Sequence, residues 1–198
     1  MLPLIIAAGV ALVGSAAAIY YGLQKETEKA RNDYIQASTT YYININNLRQ
    51  RIEEEKEYNR RGFDNFKVLA ELHFQSFKQA DFANTSINNL YYIIKCDYSR
   101  ISDIKKSMND LYNTIKTTKM SYDEKNLKNE ELQQLKTIKI GIYADIDDRK
   151  EEQQKLINTR KEFNIYTHSL KEFIRDNCGK GGRMWYERLE NRIKNKKT

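Results

Sequence analysis

Four side chains in this sequence are of types that bind zinc or act as nucleophiles: His73, His168, Cys96 and Cys178. Zinc sites usually draw ligands from closely spaced pairs, because one short turn then supplies two ligands. These four residues form no such pair, and nothing in the sequence provides a cysteine nucleophile with an orienting group or an oxyanion hole. We therefore predict no metal ion, no cofactor and no catalytic residue, and we expect the two cysteines to be packed as small apolar thiols, with a single disulfide as the alternative.

A second chemical candidate is the acidic run Asp145, Asp147 and Asp148, which resembles a divalent-cation cluster. On a helix Asp145 and Asp147 point about 200° apart, so these two carboxylates cannot converge on one ion, whereas Asp145 and Asp148 share a face. Arg149 and Lys150 follow directly. The pattern is typical of a solvated, mixed-charge helix face.

A glycine-rich segment, Gly-Lys-Gly-Gly at residues 179–182, has some likeness to a phosphate-binding loop. It lacks the full spacing of a nucleotide-binding loop and follows no strand, so its backbone amides are not arranged to surround phosphates. We interpret it as a break between helices, with Gly179 as a helix C-cap.

The segment after this break combines an aromatic face with basic side chains. Trp185, Leu189 and Ile193 recur at four-residue spacing, and Tyr186 lies beside them. Such a helix can fold its aromatic face back onto the protein, lie on a partner or an anionic membrane, or contact nucleic-acid phosphates. The predicted partner or membrane surface comprises Arg183, Trp185, Tyr186, Arg188, Leu189, Arg192 and Ile193.

The elements that position these residues are predicted to be long helices. Proline occurs once, at Pro3, glycine occurs 8 times, and charged residues make up 31% of the chain, a composition with little turn punctuation. The net charge is +7, and much of it lies in residues 180–198. The rest of the chain is close to neutral, which argues against a nucleic-acid-binding protein as a whole.

Residues 2–23 contain no charged side chain and, as a helix, would extend about 33 Å, enough to span a bilayer. The run is long for a cleaved signal peptide and no basic residue precedes it, so we predict an uncleaved single-span anchor. Lys25, Lys29 and Arg31 follow the run and predict a cytoplasmic body. Small residues at four-residue spacing predict close helix packing within the membrane. These are Ala7, Ala11, Gly14, Ser15, Ala18 and Gly22.

Heptad periodicity in residues 87–115 predicts a bundle helix. Apolar or aromatic residues occupy most a, d and e positions, with Tyr91, Tyr98 and Tyr112 at e, and Asp97 is a charged exception at d. Three apolar positions per heptad favour an antiparallel bundle, and a parallel oligomeric coiled coil is the alternative.

Three further helical patterns complete the body. Ser121 and Glu124 predict a capping box at the start of a helix that runs to about residue 177. An earlier helix has its apolar face at Tyr34, Tyr41, Ile45, Leu48 and Ile52, and a phenylalanine face follows Gly62 at Phe63, Phe66, Ala70, Phe74 and Phe77. We predict a turn at residues 81–86, and we expect the polar stretches 53–61 and 145–155 to project beyond the bundle or form loops.

The predicted organisation is an all-α chain with a transmembrane anchor (1–24), an elongated antiparallel bundle or coiled-coil body (25–178) and a glycine hinge with a basic amphipathic helix (179–198). It predicts a non-enzymatic, single-pass membrane scaffold that binds a protein partner or itself and has no small-molecule substrate. The architecture, although no motif, resembles that of the inner-membrane spanins of phage lysis systems. That resemblance implies the alternative function, an envelope-bridging or membrane-disrupting protein, with the body on the opposite side of the membrane.

Overall fold

The computed structural model describes the backbone of residues 16–195 and the side chains of residues 28–195. Regular structure in this part of the chain is helical, in four helices: α1 (Ala16–Arg60), α2 (Phe66–Thr117), α3 (Tyr122–Asn177) and α4 (Gly179–Asn195). The prediction of an all-α helical bundle is confirmed.

The predicted anchor falls mainly outside the described residues. Ala7, Ala11, Gly14 and Ser15 lie there, whereas Ala18 and Gly22 belong to the first turns of α1. Among residues 16–195, no helix has both the length and the apolar character needed to cross a membrane.

The helix boundaries follow local sequence signals. Gly62, with φ of 94°, ends α1 by adopting a left-handed conformation that other residues rarely accept. The predicted capping box is confirmed: the Ser121 backbone N–H donates to Glu124 at 2.8 Å, and the Glu124 N–H donates to the Ser121 hydroxyl at 3.3 Å. Gly179, with φ of 56°, separates α3 from α4 as predicted.

The described residues form two compact units. The first contains residues 16–33 and 89–149, and the second contains residues 34–88 and 150–195. The long helices α2 and α3 contribute one segment to each unit. The division predicted at residues 24 and 178 was based on the composition of the sequence and not on contacts between residues, and it stays a prediction.

In the first unit, α2 and α3 form an antiparallel hairpin. Its core is a cluster of isoleucines, Ile94, Ile101, Ile142 and Ile146, with Ile104 packed against it. The segment of α3 that was predicted to project or form a loop is helical, and Ile146 within it is fully buried. That prediction was wrong because the segment packs on α2 through the buried side chain of Ile146 and through the ion pair of Arg149 with Asp97.

In the second unit, α1 and α3 run parallel, and α2 runs antiparallel to α1. The Tyr34 hydroxyl donates to Glu152 at 3.0 Å and, further along both helices, the Tyr166 hydroxyl donates to Glu53 at 2.7 Å. The predicted face of α1 is confirmed as core, with the following residues buried: Tyr41, Ile45, Leu48 and Ile52.

The polar stretch 53–61 was also predicted to lie outside the packed structure, and this is wrong for Lys56. Its side chain is buried, with the ammonium 4.9 Å from the ring centroid of Tyr166 and 5.7 Å from that of Phe173. A lysine can pack its aliphatic stem against rings while its charge remains paired, here with Glu53 at 2.9 Å.

The turn predicted at residues 81–86 does not exist, because α2 continues through it. The hydroxyl groups of Thr85 and Ser86 donate to the carbonyls of Asp81 and Phe82, four residues earlier, so these residues are accommodated within the helix. Ala83 and Ser86 are fully buried. Tertiary packing thus stabilises a helix through a sequence rich in capping residues.

The phenylalanine face predicted on α2 is not the core face. Phe63, Phe74 and Phe77 are exposed, whereas the buried positions of this helix in the second unit are Leu69, Leu72, His73, Ser76, Gln79, Ala83 and Ser86. Among the buried polar side chains, the Ser76 hydroxyl donates to the Leu72 carbonyl at 2.8 Å, and the Gln79 carbonyl oxygen accepts from the Asn44 amide of α1 at 3.1 Å. The phenylalanine face and the buried face of α2 both have helical spacing, so a prediction based on hydrophobicity alone chose the wrong face as the core.

Candidate interaction surface

The C-terminal helix α4 folds its aromatic face onto the second unit. The ring of Trp185 meets that of His73 edge-on, with centroids 5.1 Å apart. On the neighbouring face the Lys171 ammonium donates to Glu190 at 2.7 Å, and the Tyr186 hydroxyl donates to Glu172 at 3.0 Å. These contacts join α4 to both α2 and α3.

This packing divides the predicted partner surface into two sets. Trp185, Tyr186 and Leu189 are half-buried against the bundle, whereas the remaining members are exposed, namely Arg183, Arg188, Arg192 and Ile193. In this conformation an acidic partner would meet the arginines without the tryptophan. Insertion of Trp185 into a membrane would first require α4 to separate from the bundle.

Close approach of α4 to α3 depends on Gly182. The residue is buried, and a Cβ placed on it would overlap the carbonyl oxygen of Ile174 and lie 2.9 Å from the Cys178 Cβ. Neighbouring Gly181 is different, since its Cβ would meet only the Phe66 ring, at 3.5 Å. The glycine-rich segment therefore allows helix packing, a role that its likeness to a phosphate loop did not suggest.

His73 is buried beneath Trp185, and its environment disfavours the charged imidazolium. Burial lowers the pKa of His73 to about 4, and the positive charges of Lys171 and His168 act in the same direction. The imidazole is therefore neutral at physiological pH. It serves as an aromatic platform for α4.

We expect acidification to destabilise the protein through His73. An unfolded histidine has a pKa of about 6.5, so between about pH 6.5 and pH 4 the unfolded chain binds a proton that the folded chain does not. Stability from the neutral imidazole is complete above pH 6.5, and about 3 kcal/mol of it is lost by pH 4. Urea unfolding of wild type and His73→Phe at several pH values measures this, with the variant keeping a ring against Trp185. Carboxylates titrate in both proteins and affect both alike. If the free energy of unfolding fell equally with pH in the two proteins, the loss of stability could not be assigned to His73.

The other zinc-ligand candidates do not assemble into a site. Cys96 is buried in the first unit, and Cys178 of the second unit accepts a long hydrogen bond from the Asn59 amide at 3.8 Å. Both thiols are free, and burial raises the pKa of Cys178. Exposed His168 lies 3.7 Å from Glu172. Among the described residues, no three His, Cys, Asp or Glu side chains are grouped so that they could hold a metal ion.

A buried ion pair links the two helices of the first unit. Asp97, 1% exposed, accepts a hydrogen bond from Arg149 of α3 and forms a second ion pair with Arg100 at 3.3 Å. Asp145, of the acidic run, is exposed and lies 3.5 Å from Arg149. The sequence signal for this pair was the charged d position in an otherwise apolar heptad, together with an arginine in the polar stretch of α3.

The first unit carries an uncovered aromatic surface, which we call the tyrosine face. Its members are exposed by 37% to 66%: Tyr91, Tyr98 and Tyr112 of α2, and Ile140 and Tyr143 of α3. Lys136, Ile140 and Tyr143 share one side of α3 by helical spacing. The Lys136 ammonium lies 5.9 Å from the Tyr112 ring centroid, so the rows on the two helices adjoin.

The tyrosine face corrects the prediction of a three-position apolar stripe. The a positions Ile94, Ile101 and Met108 are buried as expected, whereas the e tyrosines are exposed. The hairpin seam covers the a and d positions of α2, and the tyrosines at e remain 42% to 64% exposed.

No family model, curated protein or solved structure matches this chain.

Proposed function

We propose that this protein is a non-enzymatic, membrane-tethered helical scaffold that self-associates through the tyrosine face. The observation that carries the proposal is the exposure of five large apolar or aromatic side chains on one side of the α2–α3 hairpin. Tyrosine combines a large apolar ring with a hydroxyl that tolerates water, which suits a surface that alternates between solvent and a partner.

The dimensions of the hairpin suit a second copy of the chain. The segments of α2 and α3 in the first unit are each about 40 Å long, and the pair is about 20 Å wide, giving a face of about 800 Å². Stable protein interfaces bury about 800 Å² on each partner. Two such hairpins would pack face to face as a four-helix bundle, an arrangement that covers both tyrosine faces at once.

Self-association is tested on the full chain, purified in detergent, by light scattering coupled to size exclusion. We expect a dimer, with a dissociation constant raised at least tenfold in the triple variant Tyr112→Ser, Ile140→Ser, Tyr143→Ser. The matched control, Phe77→Ser, Leu127→Ser, Ile165→Ser, removes three apolar side chains of similar or greater exposure from other surfaces. A wild-type monomer, or equal weakening by both triple variants, would exclude the tyrosine face as a self-association surface.

The membrane tether rests on the uncharged run at residues 2–23, and its orientation on the basic residues that follow it. Exposed Lys29 and Lys194 are replaced singly by Cys in a Cys96→Ala, Cys178→Ser background, and intact cells are treated with a membrane-impermeant thiol reagent. Protection of both positions until permeabilisation, with the protein in the membrane fraction, is expected for a cytoplasmic body. Labelling from outside would reverse the orientation and favour the envelope-bridging function.

A further inference from the structure

The second unit contains an open cavity of about 350 Å³ between α1 and α2. Its lining includes two cations, Arg51 of α1 and Lys78 of α2, and contains no carboxylate. The remaining lining residues are four side-chain amides and one leucine, namely Asn44, Asn47, Gln75, Gln79 and Leu48. A cavity with this lining presents positive charge and amide groups to whatever enters it.

Neither cation of the cavity is neutralised within the described chain. Arg51 forms no ion pair or hydrogen bond with any described residue, and the Lys78 ammonium lies 4.3 Å from the ring centroid of Phe74 instead of on a carboxylate. Other cations at this end of α1 do find carboxylates: Lys56 pairs with Glu53 at 2.9 Å, and Arg61 with Glu57 at 3.3 Å. The cavity thus holds two cations that have no carboxylate partner among the described residues.

A buried amide adds a donor to the cavity. Gln79 is 8% exposed, and its carbonyl oxygen accepts a hydrogen bond from the Asn44 amide at 3.1 Å. Its own NH2 group has no acceptor among the described residues and is not closed off from solvent, since the one enclosed side-chain polar atom without a partner in this part of the chain is the Tyr41 hydroxyl. The Gln75 amide, which lines the cavity, donates a hydrogen bond to the Glu71 carboxylate at 3.0 Å. Glu71 itself does not line the cavity.

We propose that this cavity binds the phosphate group of a small anionic ligand. A guanidinium donates two parallel hydrogen bonds to phosphate, and an ammonium adds a second positive charge. Asn44 lies opposite Gln79 on antiparallel helices, so Arg51 lies about six residues, or about 9 Å, from Lys78 along the helix axes. Both long side chains can close that distance over one anion. The volume matches the lower end of small-molecule sites, so the ligand is the size of a metabolite or a lipid headgroup.

The test is calorimetric titration of the full chain with inorganic phosphate, with sodium chloride at equal ionic strength as the reference. We expect saturable binding, weakened at least tenfold in Arg51→Gln, Lys78→Gln. The control Lys67→Gln, Lys161→Gln removes the same charge from exposed positions of the same unit that do not line the cavity, and should bind as wild type does. Absence of saturable binding, or equal loss in both double variants, would overturn the proposal.

A second arm identifies the source of the phosphate. The full chain in detergent is titrated with short-chain phosphatidic acid and with short-chain phosphatidylcholine, each in the presence and absence of inorganic phosphate. Binding that needs phosphatidic acid, is lost in Arg51→Gln, Lys78→Gln and is reduced by inorganic phosphate supports the site with a lipid headgroup as its ligand. Binding of inorganic phosphate without such binding of phosphatidic acid supports it with a soluble phosphate compound. Both outcomes are independent of whether the chain self-associates.

Discussion

Asp97→Ala is expected to lower the free energy of unfolding by about 3 kcal/mol, at the lower end of the loss measured when one partner of a buried ion pair is removed. Asp97 is almost fully buried, and Arg149, whose side chain is 13% exposed, faces it from the other helix of the hairpin. The substitution removes the carboxylate from between Arg149 and Arg100, so positive charge remains in a poorly hydrated seam. Urea unfolding followed by helical circular dichroism at pH 7 measures the loss.

Two comparisons make this prediction specific. Asp103→Ala removes an exposed carboxylate from the same helix and should change stability by less than about 0.5 kcal/mol. The double variant Asp97→Leu, Arg149→Leu replaces the pair by apolar side chains and should recover most of the loss, because no unpaired charge is then buried. If Asp97→Ala and Asp103→Ala behaved alike, the pair would not contribute to the hairpin as described.

Gly182→Ala is the second substitution with a large expected effect. The added methyl group would overlap the backbone carbonyl of Ile174, which cannot move without distorting α3. We expect α4 to be displaced, with a loss of about 3 kcal/mol, at the upper end of typical overpacking effects. Displacement exposes Trp185, the only tryptophan, so its fluorescence should shift to longer wavelength.

Gly181→Ala is the matched control for this prediction. It adds the same methyl group one residue earlier, where the nearest atom lies at ordinary contact distance, 3.5 Å away. Within a helix, alanine is favoured over glycine by about 1 kcal/mol, so this variant should be as stable as wild type or more stable. Unchanged tryptophan fluorescence in Gly182→Ala would show that α4 does not depend on close approach to α3.

Local signals in the sequence predicted the helix ends well. Ser121 with Glu124, and the glycine at 179, each act through their own backbone or through a neighbour within three residues, so no distant contact is needed to interpret them. Such signals depend on short-range chemistry, which a single sequence contains in full.

Signals that depend on a partner helix were predicted less well. The phenylalanines at 74 and 77 were assigned to the core because they are apolar, yet the packed face of α2 includes Ser76 and Gln79. The serine hydroxyl donates to its own helix, and the glutamine carbonyl oxygen accepts from Asn44, so part of the polarity of both side chains is satisfied within the protein. Only the packed neighbours reveal this compensation.

The sequence by itself determined that this chain is helical, where most of its helices end and that its charge concentrates at the C-terminus. Tertiary structure decided which of two equally periodic faces is buried, that Asp97 meets Arg149, that Trp185 rests on His73, and that the tyrosines of α2 remain exposed. The physical reason is range: helix propensity and capping act within a few residues. Burial is set by contacts between residues far apart in the sequence, such as Asn44 with Gln79, 35 positions apart, and Asp97 with Arg149, 52 positions apart, whose register no local pattern records.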